Sequence, residues 1–300
     1  MKDRMKILIA YDGSECADDA LADLQRAGLP RKAEAHVLSV NSELIPSPVS
    51  FGGVETGFDK DLKEEQETAL AMAKQARTKL KTNFPDWEVH AEAMTGSPSG
   101  LILHRADELK PDLIVVGSHG RSALGRVFLG SVSRNVLHSA HCNVRIARSR
   151  KAEPETPIRL IVGLDGSKGA EAAIKAVAAR HWPTGSEARI VNGFPALPII
   201  GSEFTAPTIN QWIFDEKARV TKAIEMAVGK LKGANLIVSS VEKDEDARRL
   251  LIGEAKEWEA DCIFLGAQGM NAFERFLLGS VSSYVATHAP CSVEVLREEE

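Results

Sequence analysis

Nowhere in its 300 residues does the sequence approach the roughly 20 consecutive apolar residues that a membrane-spanning helix needs. Its opening, Met1-Lys2-Asp3-Arg4-Met5-Lys6, leads only into the short apolar run Ile7 to Ala10, too short for a signal-peptide core. The four cysteines, Cys16, Cys142, Cys262 and Cys291, have no C-x-x-C or metal-ligand spacing. Such thiols are expected to stay reduced, and Cys142 and Cys291, each just before a last strand, read as small buried apolar residues. The expectation is a cytoplasmic protein without a membrane partner. There is no basic excess either: the formal charge is −5. Coating nucleic acid relies on Lys and Arg neutralising phosphates, so no nucleic-acid partner is expected. Two familiar phosphate loops are missing. No G-x-x-x-x-G-K-[ST] occurs, Gly229-Lys230 lies inside a helical pattern, and the first strand does not lead into G-x-G-x-x-G.

What the chain has is an ordinary globular composition, 44% hydrophobic and 26% charged, and a length that suits two domains of roughly 150 residues. It also repeats itself. Gly117-Ser118-His119-Gly120, followed after nine residues by Gly130-Ser131-Val132-Ser133, recurs as Gly266-Ala267-Gln268-Gly269 and Gly279-Ser280-Val281-Ser282, an offset of 149. Cys142 and Cys291 share that offset. Asp12-Gly13-Ser14 recurs as Asp165-Gly166-Ser167 and Val40-Asn41 as Val191-Asn192, each within a few residues of it. The charged, Pro-bearing stretch Ser149 to Pro157 reads as a linker. The expected domains are 1–149 and 157–300.

In the first half, Lys6 to Tyr11, Glu34 to Asn41, Trp87 to Met94, Asp112 to Gly117 and Asn143 to Ala147 read as strands. Cys16 to Ala27, Lys60 to Leu80 and Ser99 to Leu109 carry apolar residues at helical spacing. The second half repeats the pattern, with strands near Ile158 to Leu164, Ala188 to Asn192, Leu236 to Val241, Cys262 to Gly266 and Ser292 to Leu296. Alternating strands and helices imply α/β architecture: a parallel sheet covered on both faces by right-handed crossovers. Ligands of such sheets bind beyond the carboxyl ends of the strands, where the strand order reverses. If the order is 3-2-1-4-5, Asp12 after the first strand and Gly117 after the fourth fall at one crevice.

Gly117 and Gly120 permit tight turns and close approach to a phosphate. Gly130 and Ser131 open the fourth helix, whose free amides and positive dipole end favour an anion, with Ser131 and Ser133 as further donors. A single Gly-Ser turn would be ordinary punctuation; its duplication at fixed spacing points to a phosphate cradle. For Asp12 and Asp165, capping the following helix and contacting a ligand both remain open. His119, without its glycines, would read as an exposed loop residue; His104 reads as structural, and Glu298-Glu299-Glu300 as a solvated tail.

The pattern G-x2-G-x9-G-[ST], an Asp closing the first strand, and the turn His288-Ala289-Pro290-Cys291 before the last strand resemble the universal stress protein family, in its ATP-binding branch, as two consecutive copies. The resemblance implies two tandem doubly wound, Rossmann-like, open parallel five-stranded sheets of order 3-2-1-4-5, with adenine near the Asp after strand one. By matching positions it puts contacts to ATP, with magnesium as an optional companion, on Asp12, Val40, Gly117, His119, Gly120, Gly130, Ser131, Val132 and Ser133. In the second copy they fall on Asp165, Val191, Gly266, Gln268, Gly269, Gly279, Ser280, Val281 and Ser282. One element departs: Thr95-Gly96-Ser97-Pro98 opens the third helix of copy one, where copy two has Lys243-Asp244-Glu245-Asp246.

Three functions compete: an ATP-binding stress or signalling protein, a slow ATPase, and a scaffold with a vestigial site. The first is preferred, because Asp12 and His119 are the only nearby base candidates. The copies are expected to be unequal, with the first binding ATP more tightly. Arg121 and Arg134 of copy one face Met270 and Ser283 in copy two, Arg126 is matched by Arg275, and Asp244, Glu245 and Asp246 stand where copy one has Gly96 to Pro98. A further homodimer is left open.

The resemblance also implies an edge contact through the fifth strand, and a tandem chain can satisfy that edge within itself. Asn143 to Ala147 is expected to pack antiparallel against Ser292 to Leu296 in an intramolecular pseudo-dimer. A short thiol cross-linker should then join Asn143→Cys to Leu296→Cys within one chain, judged against the parent protein. Cross-linking only between molecules would rule the pairing out.

Overall fold

The computed structural model describes residues 4–42, 58–120, 129–148, 153–194, 206–269 and 278–298. Arg121, Arg126, Met270, Arg275 and the tail glutamates Glu299 and Glu300, on which part of the sequence reading rested, lie outside them. The chain divides into two compact units, Met1–Gln25 with Pro30–Ala147, and Arg26–Leu29 with Arg148–Glu300.

The first unit alternates β1 (Met5–Ala10), α1 (Glu15–Leu24), β2 (Ala33–Asn41), α2 (Phe58–Asn83), β3 (Glu88–Thr95), α3 (Pro98–Leu109), β4 (Leu113–Gly117), α4 (Ser131–Ser139) and β5 (Asn143–Ala147). Its strands are parallel neighbours in the order β3-β2-β1-β4-β5. The consecutive residues Ile7, Leu8 and Ile9 are all fully buried. Side chains alternate across a strand, so burial at successive positions means that both faces are covered. The second unit repeats the plan with β6 (Arg159–Gly163), α5 (Lys168–Ala178), β7 (Glu187–Gly193), α6 (Ala206–Gly233), β8 (Ile237–Lys243), α7 (Ala247–Glu257), β9 (Cys262–Gly266), α8 (Ser280–His288) and β10 (Ser292–Leu296). Its order is β8-β7-β6-β9-β10, again parallel throughout. Each unit is thus a doubly wound α/β sheet, reversing its order between the first and fourth strands of the copy.

The elements lie within a few residues of their expected bounds, with local corrections. β1 ends at Ala10, one residue short of the expected Tyr11, and Asp12 lies in the turn that follows. Cys291 is buried, but Cys142 is only half-buried. No described helix is long and apolar enough to cross a membrane.

Each unit anchors its last strand with a buried ion pair. In the first, Arg145 on β5 grips Asp23 on α1 through Nε to Oδ2 at 2.6 Å and Nη2 to Oδ1 at 3.0 Å. The side chains are 1% and 7% exposed, so the bidentate geometry is what offsets the cost of removing both charges from water. In the second unit Arg180, just past α5, forks onto Glu294 of β10, with Nη1 to Oε2 at 2.9 Å. Asp23→Ala leaves Arg145 buried without that carboxylate and is expected to destabilise the fold by about 3–5 kcal/mol. A urea-unfolding midpoint within error of the parent would contradict this.

Candidate functional site

The turn after β1 is built by its own side chains. Gly13 takes φ +76°, a left-handed conformation suited to glycine. Asp12 Oδ1 accepts from the Ser14 amide at 3.0 Å and from the Ser14 hydroxyl at 2.6 Å. Ser14, in turn, caps α1 by accepting from the Ala17 amide at 3.2 Å. The second copy matches: Gly166 has φ +79°, Asp165 Oδ1 accepts from the Ser167 amide at 2.9 Å, and Ser167 accepts from the Ala170 amide at 3.2 Å. The helix caps are therefore Ser14 and Ser167, and the two aspartates shape the turn before them. Capping does not consume Asp12 and Asp165.

The glycine loop of each copy closes against that turn. A Cβ built on Gly120 would lie 3.0 Å from Asp12 Oδ2, and one on Gly269 would lie 2.7 Å from Asp165 Oδ2. A side chain on either glycine would crowd that carboxylate. For Gly117 and Gly266 the close neighbour is the first helix of the copy, α1 or α5: their Cβ positions fall 2.9 Å from the Cys16 carbonyl oxygen and 2.4 Å from the Gly169 carbonyl carbon. The steric need for glycine at these two positions comes from helix packing. The loop is then tied to the fourth helix of the copy, since the Gly130 amide donates to the Ser118 carbonyl at 2.9 Å and the Gly279 amide to the Ala267 carbonyl at 2.7 Å. The amides of residues 131–133 and 280–282, at the starts of α4 and α8, have no preceding helical turn to accept them.

The serines separate into two kinds. Ser131 and Ser280 are exposed, Val132 and Val281 half-buried, and Ser133 and Ser282 buried. The buried hydroxyls donate back to the carbonyls of Gly117 and Gly266, each at 2.6 Å. Ser133 and Ser282 thus clamp helix to strand end rather than offering a donor to a ligand, which corrects the sequence reading. His119 is half-buried, with Nδ1 3.0 Å from the Ser118 hydroxyl. Gln268, its counterpart, is half-buried too, and its carbonyl accepts from the Ser167 hydroxyl at 3.3 Å. Arg134 turns back onto the Leu129 carbonyl at 3.3 Å.

Strand register corrects a second assignment. The Tyr11 amide donates to Leu38 O and the Leu164 amide to Val191 O, each at 3.0 Å, and Ala10 lies beside Leu38 as Gly163 lies beside Val191. Val191, only 2% exposed, is thus the counterpart of Leu38. The residue standing where Val40 stands is Gly193. A Cβ there would lie 2.7 Å from Ala247 Cα and 2.8 Å from the Glu245 carbonyl oxygen. In copy two the chain itself fills that position.

The same register, with the helix caps, aligns Thr95-Gly96-Ser97-Pro98 with Asp244-Glu245-Asp246-Ala247, one residue later than the sequence comparison placed it. Two of these acids are paired. Asp244 meets Lys217 at 2.7 Å. Asp246 caps α7 and binds Arg248, whose hydrogen bonds hold its carboxyl down at about 2. Sequence reasoning also missed Arg219 on α6, which donates to the Gly166 carbonyl at 2.9 Å; nothing in the linear pattern ties residue 219 to that turn.

Two parallel α/β units, each closing a glycine loop onto an Asp-Gly-Ser turn at the carboxyl end of its sheet, define a tandem, doubly wound protein. The Universal stress protein family model matches residues 4–148 and 158–297, and the chain belongs to this family. It is 32% identical over 152 residues to universal stress protein MJ0531 of Methanocaldococcus jannaschii, spanning 49% of this chain and 84% of that protein. To universal stress protein Rv2005c of Mycobacterium tuberculosis it is 28% identical over 216 residues, 70% and 69% of the two chains. A universal stress protein structure from Archaeoglobus fulgidus shares the fold, with a TM-score of 0.67, 23% identity and 98% of each chain covered.

The two serine roles can be separated. Ser133→Ala should cost about 1–3 kcal/mol by leaving the Gly117 carbonyl without its buried donor, whereas Ser131→Ala, at an exposed position, should leave thermal stability unchanged. Equal midpoints for both variants would contradict the division.

Proposed function

We propose that the first unit binds ATP at the carboxyl ends of β1 and β4, and that occupancy modulates conformation or partner choice instead of feeding rapid turnover. The observation that carries this is the closure of the Gly120 loop onto the Asp12 carboxylate beside the open amide end of α4. Adenine and ribose would lie toward Asp12 and Val40. The phosphates would take the amides of residues 131–133, the loop at His119 and Gly120, and the exposed Ser131 hydroxyl, where backbone donors and the helix dipole favour negative charge. Magnesium, when it accompanies the triphosphate, would neutralise charge on the phosphate oxygens.

The second unit keeps the loop and turn, but its Val40 position is Gly193 packed under Glu245 and Ala247. The proposal is therefore that copy two binds more weakly, for a reason of shape. Charge repulsion is the weaker explanation, since two of the three acids, Asp244 and Asp246, are each paired with a neighbouring cation.

Mass spectrometry of the purified chain should find bound adenine nucleotide. Calorimetry should show a tighter ATP phase that Gly120→Val weakens by about tenfold or more, roughly 1.4 kcal/mol, and that Gly269→Val leaves in place. Loss of the tighter phase in Gly269→Val alone would reverse the ranking. Cyclic AMP displacing ATP at equal concentration would change the nucleotide. Steady phosphate release well above about one per minute, roughly 10³ slower than a kinase, and abolished by Gly120→Val, would favour the slow-ATPase reading.

A further inference from the structure

Toward the amino ends of β2 and β3, away from the nucleotide crevice, four chemically matched residues share one face of the first unit's sheet. Parallel register sets Glu34 beside Glu88 and His36 beside His90, and the two-residue strand period puts both pairs on the same side. His36 Nε2 lies 2.8 Å from Glu34 Oε1, and His90 Nε2 lies 3.4 Å from Glu88 Oε1. The two imidazoles stack with centroids 4.7 Å apart and planes 23° from parallel. One donor atom each from Glu34, His36 and His90 falls within 4.8 Å of the others.

A tetrahedral zinc ion holds its ligand atoms about 2.0–2.2 Å away. Ligands at that distance lie about 3.4 Å from one another; the three donors fall within 4.8 Å, and the His90 side chain, 47% exposed, has room to rotate inward and close the difference. The His36 side chain, 10% exposed, supplies a fixed anchor. Imidazole nitrogens with a carboxylate suit Zn²⁺, whereas Mg²⁺ and Ca²⁺ favour oxygen donors throughout. Carboxylates directly opposite each other on a sheet repel. Here Arg4, 3.3 Å from Glu88 Oε2, and Lys6, in register with Glu34, soften that repulsion, and a bound dication would do so further.

A stacked histidine pair could serve packing alone, and the second unit tests whether the fold requires it. The equivalent register pairs there are Glu187 with Ile237 and Arg189 with Ser239. Arg189 lies over the Trp258 ring, 4.1 Å from its centroid, and bonds Glu254 at 2.9 Å. The same sheet forms without either histidine.

We propose that Glu34, His36 and His90 form a zinc-binding site in the first unit, with Glu88 or water completing the coordination. The ion ties the edge strand β3 to β2 at a point four residues, about 13 Å, along β2 from Val40, and it leaves the nucleotide crevice untouched.

The full chain, stripped with a chelator and dialysed against zinc chloride, is expected to retain one equivalent per chain, not two. Cobalt in its place should give the visible absorption of a tetrahedral site. His90→Ala and Glu34→Gln should each weaken binding by tenfold or more, while His104→Ala, on the exposed face of α3, should not. Circular dichroism checks that these surface variants keep the fold. Zinc should also raise the thermal midpoint of the parent chain but not of His90→Ala. Failure to retain zinc, retention unchanged in both His90→Ala and Glu34→Gln, or full competition by equimolar magnesium would each overturn the proposal.

Discussion

The approach of the first helix of each copy to the end of the fourth strand is the constraint on which the site rests. In the first unit α1 begins so near β4 that a side chain at Gly117 would meet the Cys16 carbonyl at 2.9 Å; in the second, Gly266 would meet Gly169 at 2.4 Å. A β-carbon at either place would push the helix off the sheet, and the cap and the Asp-Gly-Ser turn in front of it would move as well. Because β1 and β4 are neighbours at the order reversal, this packing brings the aspartate and the glycine loop together at the carboxyl ends of these two inner strands. Ser133 then fastens α4 to the same Gly117 carbonyl. Two helix starts are held around a single strand end.

Duplication makes plain which residues the scaffold needs. Those that set close approach or caps, Gly117 and Gly266, Ser14 and Ser167, Ser133 and Ser282, are the same in both copies. Some residues of the proposed sites have diverged: Val40 is replaced by Gly193, and His36 with His90 by Arg189 with Ser239. The proposed zinc site and the tighter of the proposed nucleotide sites therefore both belong to the first unit. The second keeps the architecture while spending the corresponding surface on its own contacts, such as Arg189 over Trp258.

The alternation of strands and helices was legible because each buried strand is a short apolar run and each helix carries its own period. The duplicated glycine motif was legible because steric needs at a strand end admit few residues. The partner of Val40 was not. A shift of two residues along a strand preserves which face a side chain occupies, so Val191 fits the pattern as well as Gly193 does; only the hydrogen bonds of Tyr11 to Leu38 and Leu164 to Val191 distinguish them.

Local sequence by itself determined the parallel α/β class, the two copies and the place of the loop, because turn geometry and apolar periodicity act over a few residues. Tertiary structure decided what each polar group does. Ser131 and Ser133 are two residues apart and chemically alike, yet one hydroxyl is exposed and the other is spent on a strand carbonyl. His36 and His90 lie on different strands with a long helix between them, and only parallel register makes them neighbours. Hydrogen-bond direction and cross-strand proximity depend on chain packing in three dimensions, which the linear order of residues does not carry.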